Sequence, residues 1–199
     1  MKTALPCALA LAGSLATLSV LAAGPRTFTA DAAASRALIE VGKAGAFSFA
    51  GHTHEVEAPL ASGVIHLDAE MPSRSDVRLE FNAAAMRVTG KGESADDVPK
   101  VQQTMLGEQV LDVKKFPTIT FESTSINAKN DVTGKLTIHG VTKPVTALVA
   151  LKVDGSTLTA TGKFSIKQTD FGIKPISIGG VVKVKDELAL TFTITARER

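Results

Sequence analysis

The feature that most constrains the fold is a strict alternation of apolar and polar residues along the second half of the chain. A repeat of two places successive side chains on opposite faces, so each run predicts a strand with one apolar and one wet face. Turn residues such as Gly140 and Asp154-Gly155-Ser156 separate the runs closely, which favours antiparallel neighbours. The runs cover residues 118–125, 132–139, 145–153, 158–166 and 188–196, with a short strand at 182–184 before the last.

The first half of the chain predicts three further strands and one helix. The strands are expected at 35–41, at 52–67 with a kink at Pro59, and from Val77 on to Val88. Apolar residues then recur at helical spacing, and Ser94 with Asp97 forms a pair like a capping box, so a helix is predicted over 98–109. The acidic residues 93, 96 and 97 are interpreted as N-terminal charge of that helix.

About eight strands with short connections and one helix indicate an all-β fold, either an antiparallel sandwich or a barrel. An eight-stranded closed barrel has no sheet edges and is wide enough for one small ligand. Periodicity alone does not separate the two architectures. It also leaves open whether the helix is a lid or a permanent cover.

The N-terminus is typical of a secretory signal peptide. Lys2 precedes an apolar run over 4–21 that ends in small residues. We expect cleavage after Ala22, with Ala23 as the alternative, followed by a lead-in at 23–34 and one domain at 35–199. Cys7, the single cysteine, lies in the expected signal peptide, so the mature chain should contain no thiol or disulfide.

Composition disfavours two classes of partner. The 22 basic and 20 acidic residues are interspersed and there is no Trp or Tyr, which argues against nucleic-acid binding. No second apolar run is long enough to cross a bilayer, so no membrane span is expected in the mature form. The tripeptide Asp170-Phe171-Gly172 stands without the other kinase motifs, and no nucleophile elbow is present, so an enzyme is not predicted.

Four segments in a fixed order carry a family resemblance: LDVKKFPTITFEST, GKLTIHGVTKPVTA, FSIKQTDFGI and VKVKDELALTFTITA. Together they resemble the YceI-like family of lipid- and polyisoprenoid-binding proteins over residues 35–196. The resemblance implies an extended, eight-stranded, antiparallel lipocalin-like barrel with one packed helix. It also implies a periplasmic, non-catalytic carrier of a long isoprenoid or fatty-acyl chain that needs no cofactor.

In such a barrel, the inward faces of the predicted strands would line a tunnel for the lipid. The alternative is that the same side chains fill a dry core. The sequence leaves open whether the barrel forms a homodimer. The residues expected to line the tunnel are Leu136, Ile138, Phe164, Ile166, Leu190, Phe192 and Ile194.

A histidine pair departs from the usual family pattern. Family members commonly carry a histidine soon after the first strand, where this chain has residues 42–45, GKAG. His52 and His54 instead share one face of a later predicted strand, so they are candidates to contact a polar head group or a metal. The alternative function is therefore a barrel that binds a metal or a small polar ligand through these two residues. A third metal ligand would come from Glu55, Glu57, His66 or His139.

Overall fold

The computed structural model describes residues 24–44, 53–178 and 182–199. This part of the chain contains twelve strands and one α-helix. The strands are β1 (Arg26–Ala30), β2 (Arg36–Ala44), β3 (His54–Glu57), β4 (Leu60–Leu67), β5 (Asp76–Asn82), β6 (Arg87–Val88), β7 (Thr118–Ile126), β8 (Asp131–Ile138), β9 (Val141–Asp154), β10 (Thr157–Lys167), β11 (Ser177–Ile178) and β12 (Val182–Glu198). The helix α1 spans Val98–Leu106.

Eight of the strands form a closed antiparallel ring in the order β1-β4-β5-β7-β8-β9-β10-β12, and β12 pairs back to β1. The long second-half strands are adjacent hairpins. Their registers are set by the tight turns at residues 139–140 and 155–156. The predicted eight-stranded antiparallel lipocalin-like barrel with one packed helix is confirmed.

The first half of the chain extends this ring at one end. β1 and β2 both pair with β12, and β3 continues the line of β4 after a break at Ala58-Pro59. β5 and β6 are likewise separated by a short 3-10 turn, Ala83–Ala85. The expected kink at Pro59 is therefore present. Because proline has no N–H to donate, it fits such an interruption of the ladder.

The hairpin directions give the barrel two distinct ends. The segments 68–75, 127–130 and 155–156 lie at the end that also carries β1's first residue and the C-terminus. Helix α1 and the turn at 139–140 belong to the opposite end, called the helix end below. Two apolar clusters pack inside the barrel. One surrounds Phe171 and Met86 near the helix end, and the other surrounds Phe28 and Leu158 near the termini.

Helix α1 is pinned to the open edge of β6. The Gln102 side-chain amide accepts a hydrogen bond from the Val88 N–H at 2.8 Å and donates one to the Met86 carbonyl at 2.8 Å. The amide thus pairs with the strand edge as a neighbouring strand would. The helix ends at Leu106, earlier than the predicted Gln109, because Gly107 is extended and closes the last turn onto the Thr104 carbonyl. No helix among the described residues is long and apolar enough to cross a bilayer.

Strand β1 was not predicted from the sequence and lies in the expected lead-in. Phe28 at its centre is fully buried, and Arg26 forms an ion pair with Glu198 on β12. Five residues of mixed character are too short for a periodicity argument, and long-range pairing defines this strand. The expected signal peptide, Cys7 and His52 lie outside the described residues.

Candidate ligand-binding cavity

A cavity of about 800 Å³ runs along the barrel interior. The inward faces of the strands form its wall, and α1 contributes Val101 and Met105 at the helix end. All seven residues predicted to line a tunnel lie in this wall, so the structure brings them together. Their contact with a ligand stays a prediction. Apolar wall residues outside that set include Val145, Ala147, Val149, Leu151, Ala160 and Leu188.

The antiparallel registers explain why these side chains meet. Phe164 pairs with Leu190, and Gly162 pairs with Phe192. The rings of Phe164 and Phe192 meet edge-on, with centroids 6.4 Å apart. An added Cβ on Gly162 would lie 2.8 Å from Phe192 Cε1, so the Phe192 ring covers the glycine. The Phe192 ring therefore packs against the barrel wall at the position where the neighbouring strand, β10, has a glycine.

At the helix end, a buried polar pair lies in the otherwise apolar lining. His54 on β3 and Glu93 both line the cavity, and His54 Nδ1 lies 3.0 Å from Glu93 Oε1. The Glu93 side chain is only 1% exposed, although its main chain is partly open to solvent. The close pair lacks hydrogen-bond geometry, and neither Glu93 oxygen has a hydrogen-bond partner within the described part of the chain.

A tight turn places Glu93 inside. Gly90 and Gly92 adopt positive φ angles of 78° and 80°, which glycine allows without steric cost. The Glu93 N–H closes the turn onto the Gly90 carbonyl at 3.2 Å. The side chain then lines the cavity. Asp97 is the N-cap residue of α1, whereas Glu93 lies beside His54 in the cavity lining, so the interpretation as helix N-terminal charge does not describe Glu93.

Glu55, on the outer face of β3, is hydrogen-bonded to the same turn. Glu55 accepts hydrogen bonds from Lys91 Nζ at 2.9 Å and from the Thr89 hydroxyl at 3.1 Å. The hydrogen bond from Lys91 lowers the pKa of Glu55, and the same bond raises the pKa of Lys91. Adjacent residues of one strand thus contact the turn on both sides, Glu55 from outside and His54 from inside.

The other proposed third metal ligands are engaged elsewhere. Glu57 pairs with Arg87 on the outer surface. His66 is exposed and lies 3.0 Å from the Thr27 hydroxyl. His139 occupies the tight turn with φ 51°, and its ring packs edge-on against Phe116 at 4.7 Å. The described residues hold no cluster of three or more potential metal ligands, while His52 lies outside them.

At the opposite end of the cavity, the polar groups are hydrogen-bonded to one another. Asp68 lines it and accepts hydrogen bonds from the N–H groups of Glu70 and Met71. Ser75 donates to the Asp68 carbonyl and accepts from its N–H at 2.9 Å. These groups shape a turn, and their hydrogen bonds leave Glu93 as the unsatisfied carboxyl group of the described cavity lining.

Several proteins share sequence with this chain. A UPF0312 protein of Pseudomonas aeruginosa is 44% identical over 73 residues, which cover 32% of this chain and 38% of that protein. A UPF0312 protein of Pseudomonas savastanoi pv. phaseolicola is 30% identical over 122 residues, covering 56% of this chain and 59% of the relative. The chain therefore matches less than two thirds of the length of these relatives.

A solved structure and a family profile agree with that similarity. The crystal structure of Burkholderia cenocepacia BcnA superposes with a TM-score of 0.60 over 83% of this chain and 98% of that one, at 21% identity. Identity at this level shows a shared fold. The profile of the YceI-like domain matches residues 28–196, which cover the ring from within β1 to within β12. The chain belongs to the YceI-like family.

Proposed function

We propose that the barrel binds one long-chain apolar lipid, of polyisoprenoid or fatty-acyl type, and carries it in the periplasm without changing it chemically. The observation that carries this proposal is the cavity of about 800 Å³ with an aliphatic and phenylalanine lining. Its size falls within the roughly 300–1,000 Å³ of typical ligand pockets. The YceI-like barrel is a binding fold, and the signal-like sequence at 1–22 supports export.

Burial of a hydrocarbon chain supplies the affinity. Each methylene removed from water contributes roughly 0.8 kcal/mol. About ten methylenes therefore contribute roughly 8 kcal/mol, within the range of roughly 4–15 kcal/mol that association costs. Affinity should accordingly rise steeply with chain length until the cavity is filled. Short chains should bind weakly.

Native mass spectrometry of the mature protein, purified without detergent, tests the proposal. We expect a stoichiometric lipid adduct that organic solvent releases. Protein freed of lipid should then take up a series of alkyl methyl ethers with affinity increasing along the series. Empty protein that binds none of these ethers would refute lipid binding.

A second candidate function is the binding of a metal or small polar molecule through His52 and His54. The observation that favours it is the short distance between His54 and the buried Glu93 carboxyl group. Elemental analysis of protein purified without chelator should then find one metal per chain. His54→Ala should lose it, whereas His66→Ala should keep it because His66 is exposed on the outer wall. Metal-free wild-type protein would exclude the metal version of this function.

A further inference from the structure

We infer that Glu93 is the head-group acceptor of the cavity, and that it selects lipids whose polar end is a hydrogen-bond donor, a hydroxyl or an amine, over lipids with an anionic end. This inference rests on the proposed lipid-binding function. It adds a specificity residue at the helix end.

The first argument is the unsatisfied capacity of Glu93. Buried polar side chains are nearly always hydrogen-bonded, because an unsatisfied buried group costs free energy. The Glu93 side chain is 1% exposed, and both of its oxygens lack a hydrogen-bond partner among the described residues. Carboxyl oxygens accept hydrogen bonds, so the missing partner is a donor.

The second argument is position. Glu93 belongs to the cavity lining together with Val101 and Met105 of α1, so it is a buried carboxyl group at the helix end of a mostly apolar wall. A lipid whose chain lies along the barrel would bring its terminal group to this end. Its donor could then reach Glu93 while the hydrocarbon contacts the aliphatic wall.

The third argument is that the local structure is specialised for this placement. Two positive-φ glycines, Gly90 and Gly92, form the turn, and Glu55 fixes it through hydrogen bonds from Lys91 and Thr89. His54 Nδ1 lies 3.0 Å from Glu93 Oε1, and Oε2 has no hydrogen-bond partner among the described residues, so Oε2 is the oxygen that a ligand donor would satisfy. A carboxyl group held in this way is preorganised, so a ligand donor need not order it on binding.

The charge of Glu93 determines which lipid head groups the cavity prefers. A carboxylate of a fatty acid beside Glu93 would place two acidic groups together in a poorly solvated site, which is unfavourable. Lys183 lines the same end and would favour an anionic head group once the Glu93 charge is removed. Removal of the Glu93 charge should therefore reverse the preference as well as weaken it.

The experiment measures the affinities of four compounds that share one chain: dodecanol, dodecylamine, dodecanoate and dodecyl methyl ether. The protein is the full mature chain freed of lipid, and a competing fluorescent acyl probe reports binding. Wild-type protein should bind dodecanol and dodecylamine about tenfold or more tightly than the ether, as expected for a hydrogen bond to a charged group. Dodecanoate should be the weakest ligand.

Two variants test the residue itself. Glu93→Gln keeps the size but removes the charge, so dodecylamine should lose its advantage and dodecanoate should gain affinity. Glu93→Leu should bind the alcohol and the ether equally. Glu108→Gln is the matched control, because it removes a carboxylate that is exposed and outside the cavity lining, and it should behave as wild type.

The outcomes separate the inference from the proposed function. Equal binding of dodecanol and its ether to wild-type protein would overturn the inference and leave lipid binding intact. Failure of all four compounds to bind folded wild-type protein would overturn lipid binding itself. A metal bound by wild-type protein and lost in Glu93→Gln would also overturn the inference, since the oxygens would then have a metal partner. If Glu93→Leu fails to fold, the reversed charge preference of Glu93→Gln still decides the matter.

Discussion

Gly162 should be one of the residues that keep the cavity open, and Gly162→Ala is a direct test. Gly162 pairs with Phe192 on β12 and with Val149 on β9. A Cβ at this position would lie 2.8 Å from Phe192 Cε1 and 2.8 Å from the Leu148 carbonyl oxygen. Real Cβ atoms do not come this close, so the ring must turn away from the wall and the strands must shift.

The expected cost follows from two opposing effects. Overpacking a well-packed site costs roughly 1–3 kcal/mol. Replacing glycine by alanine also reduces the entropy of the unfolded chain, which returns roughly 0.4–1 kcal/mol. The net loss in the free energy of unfolding should therefore be about 1 kcal/mol, within a range of roughly 0–2.6 kcal/mol. Ligand affinity should fall too, because the displaced Phe192 ring enters the cavity.

Urea unfolding of lipid-free protein measures the first effect, and displacement of an acyl probe measures the second. Gly42→Ala, on β2 outside the eight-stranded ring, is the matched control. Its Cβ would meet only the flexible side chain of Lys185, at 2.9 Å from Cδ, so it should be nearly neutral. A Gly162→Ala protein that is as stable as Gly42→Ala and binds the probe with unchanged affinity would refute the view that Phe192 needs a glycine at position 162 to pack against.

Three further perturbations test the cavity lining, the Gln102 contact between α1 and β6, and the pairing of Glu55 with Lys91. Phe164→Arg should abolish uptake of an acyl probe because it places a charge in the apolar lining, whereas Phe164→Leu should bind with modest loss; normal uptake by a folded arginine variant would contradict the assignment. Gln102→Ala should destabilise the contact between α1 and β6 by roughly 1–3 kcal/mol, since it removes both hydrogen bonds to the β6 edge. Amide hydrogen exchange at Val88 should then become faster, and unchanged exchange would argue against this role of Gln102. The lowered pKa of Glu55 implies stability that is present above its unfolded pKa and is lost as pH falls through the lower folded pKa. Acid titration of the unfolding free energy should therefore be shallower in Lys91→Met than in wild type, and parallel curves would contradict the pairing.

The sequence predicted the second half of the barrel well because each strand there carries its own evidence. Alternation over eight or more residues fixes which face is apolar, and the tight turns fix the register. The first half could not be predicted as well. β1 and β6 contain five and two residues, and β6 exists because β3 and the Gln102 amide provide partners for it. Such contacts are between residues distant in sequence.

The cavity lining was predictable for the same reason, but its polar group was not. Alternation along β3 placed His54 on the face of Val56, and both line the cavity. Glu93 lies in a turn, where no periodicity indicates which way a side chain points. Its one local signal was the pair of glycines at 90 and 92, which predicts a tight turn before the helix. The contact with His54 depends on the fold.

The dry core and the lipid tunnel, which the sequence left as alternatives, coexist in the barrel. Leu136 and Ile194 are almost fully buried, whereas Phe164 and Leu190 remain half-buried although they point inward. Because the ring of strands surrounds them, the exposed part of the Phe164 and Leu190 side chains faces the cavity. A dry void of about 800 Å³ would cost on the order of 19 kcal/mol at roughly 24 cal/mol per Å³, more than the roughly 5–15 kcal/mol that stabilises a whole domain. The void therefore cannot be a tolerated packing defect. It must be occupied by solvent or ligand, and its apolar lining favours hydrocarbon over water.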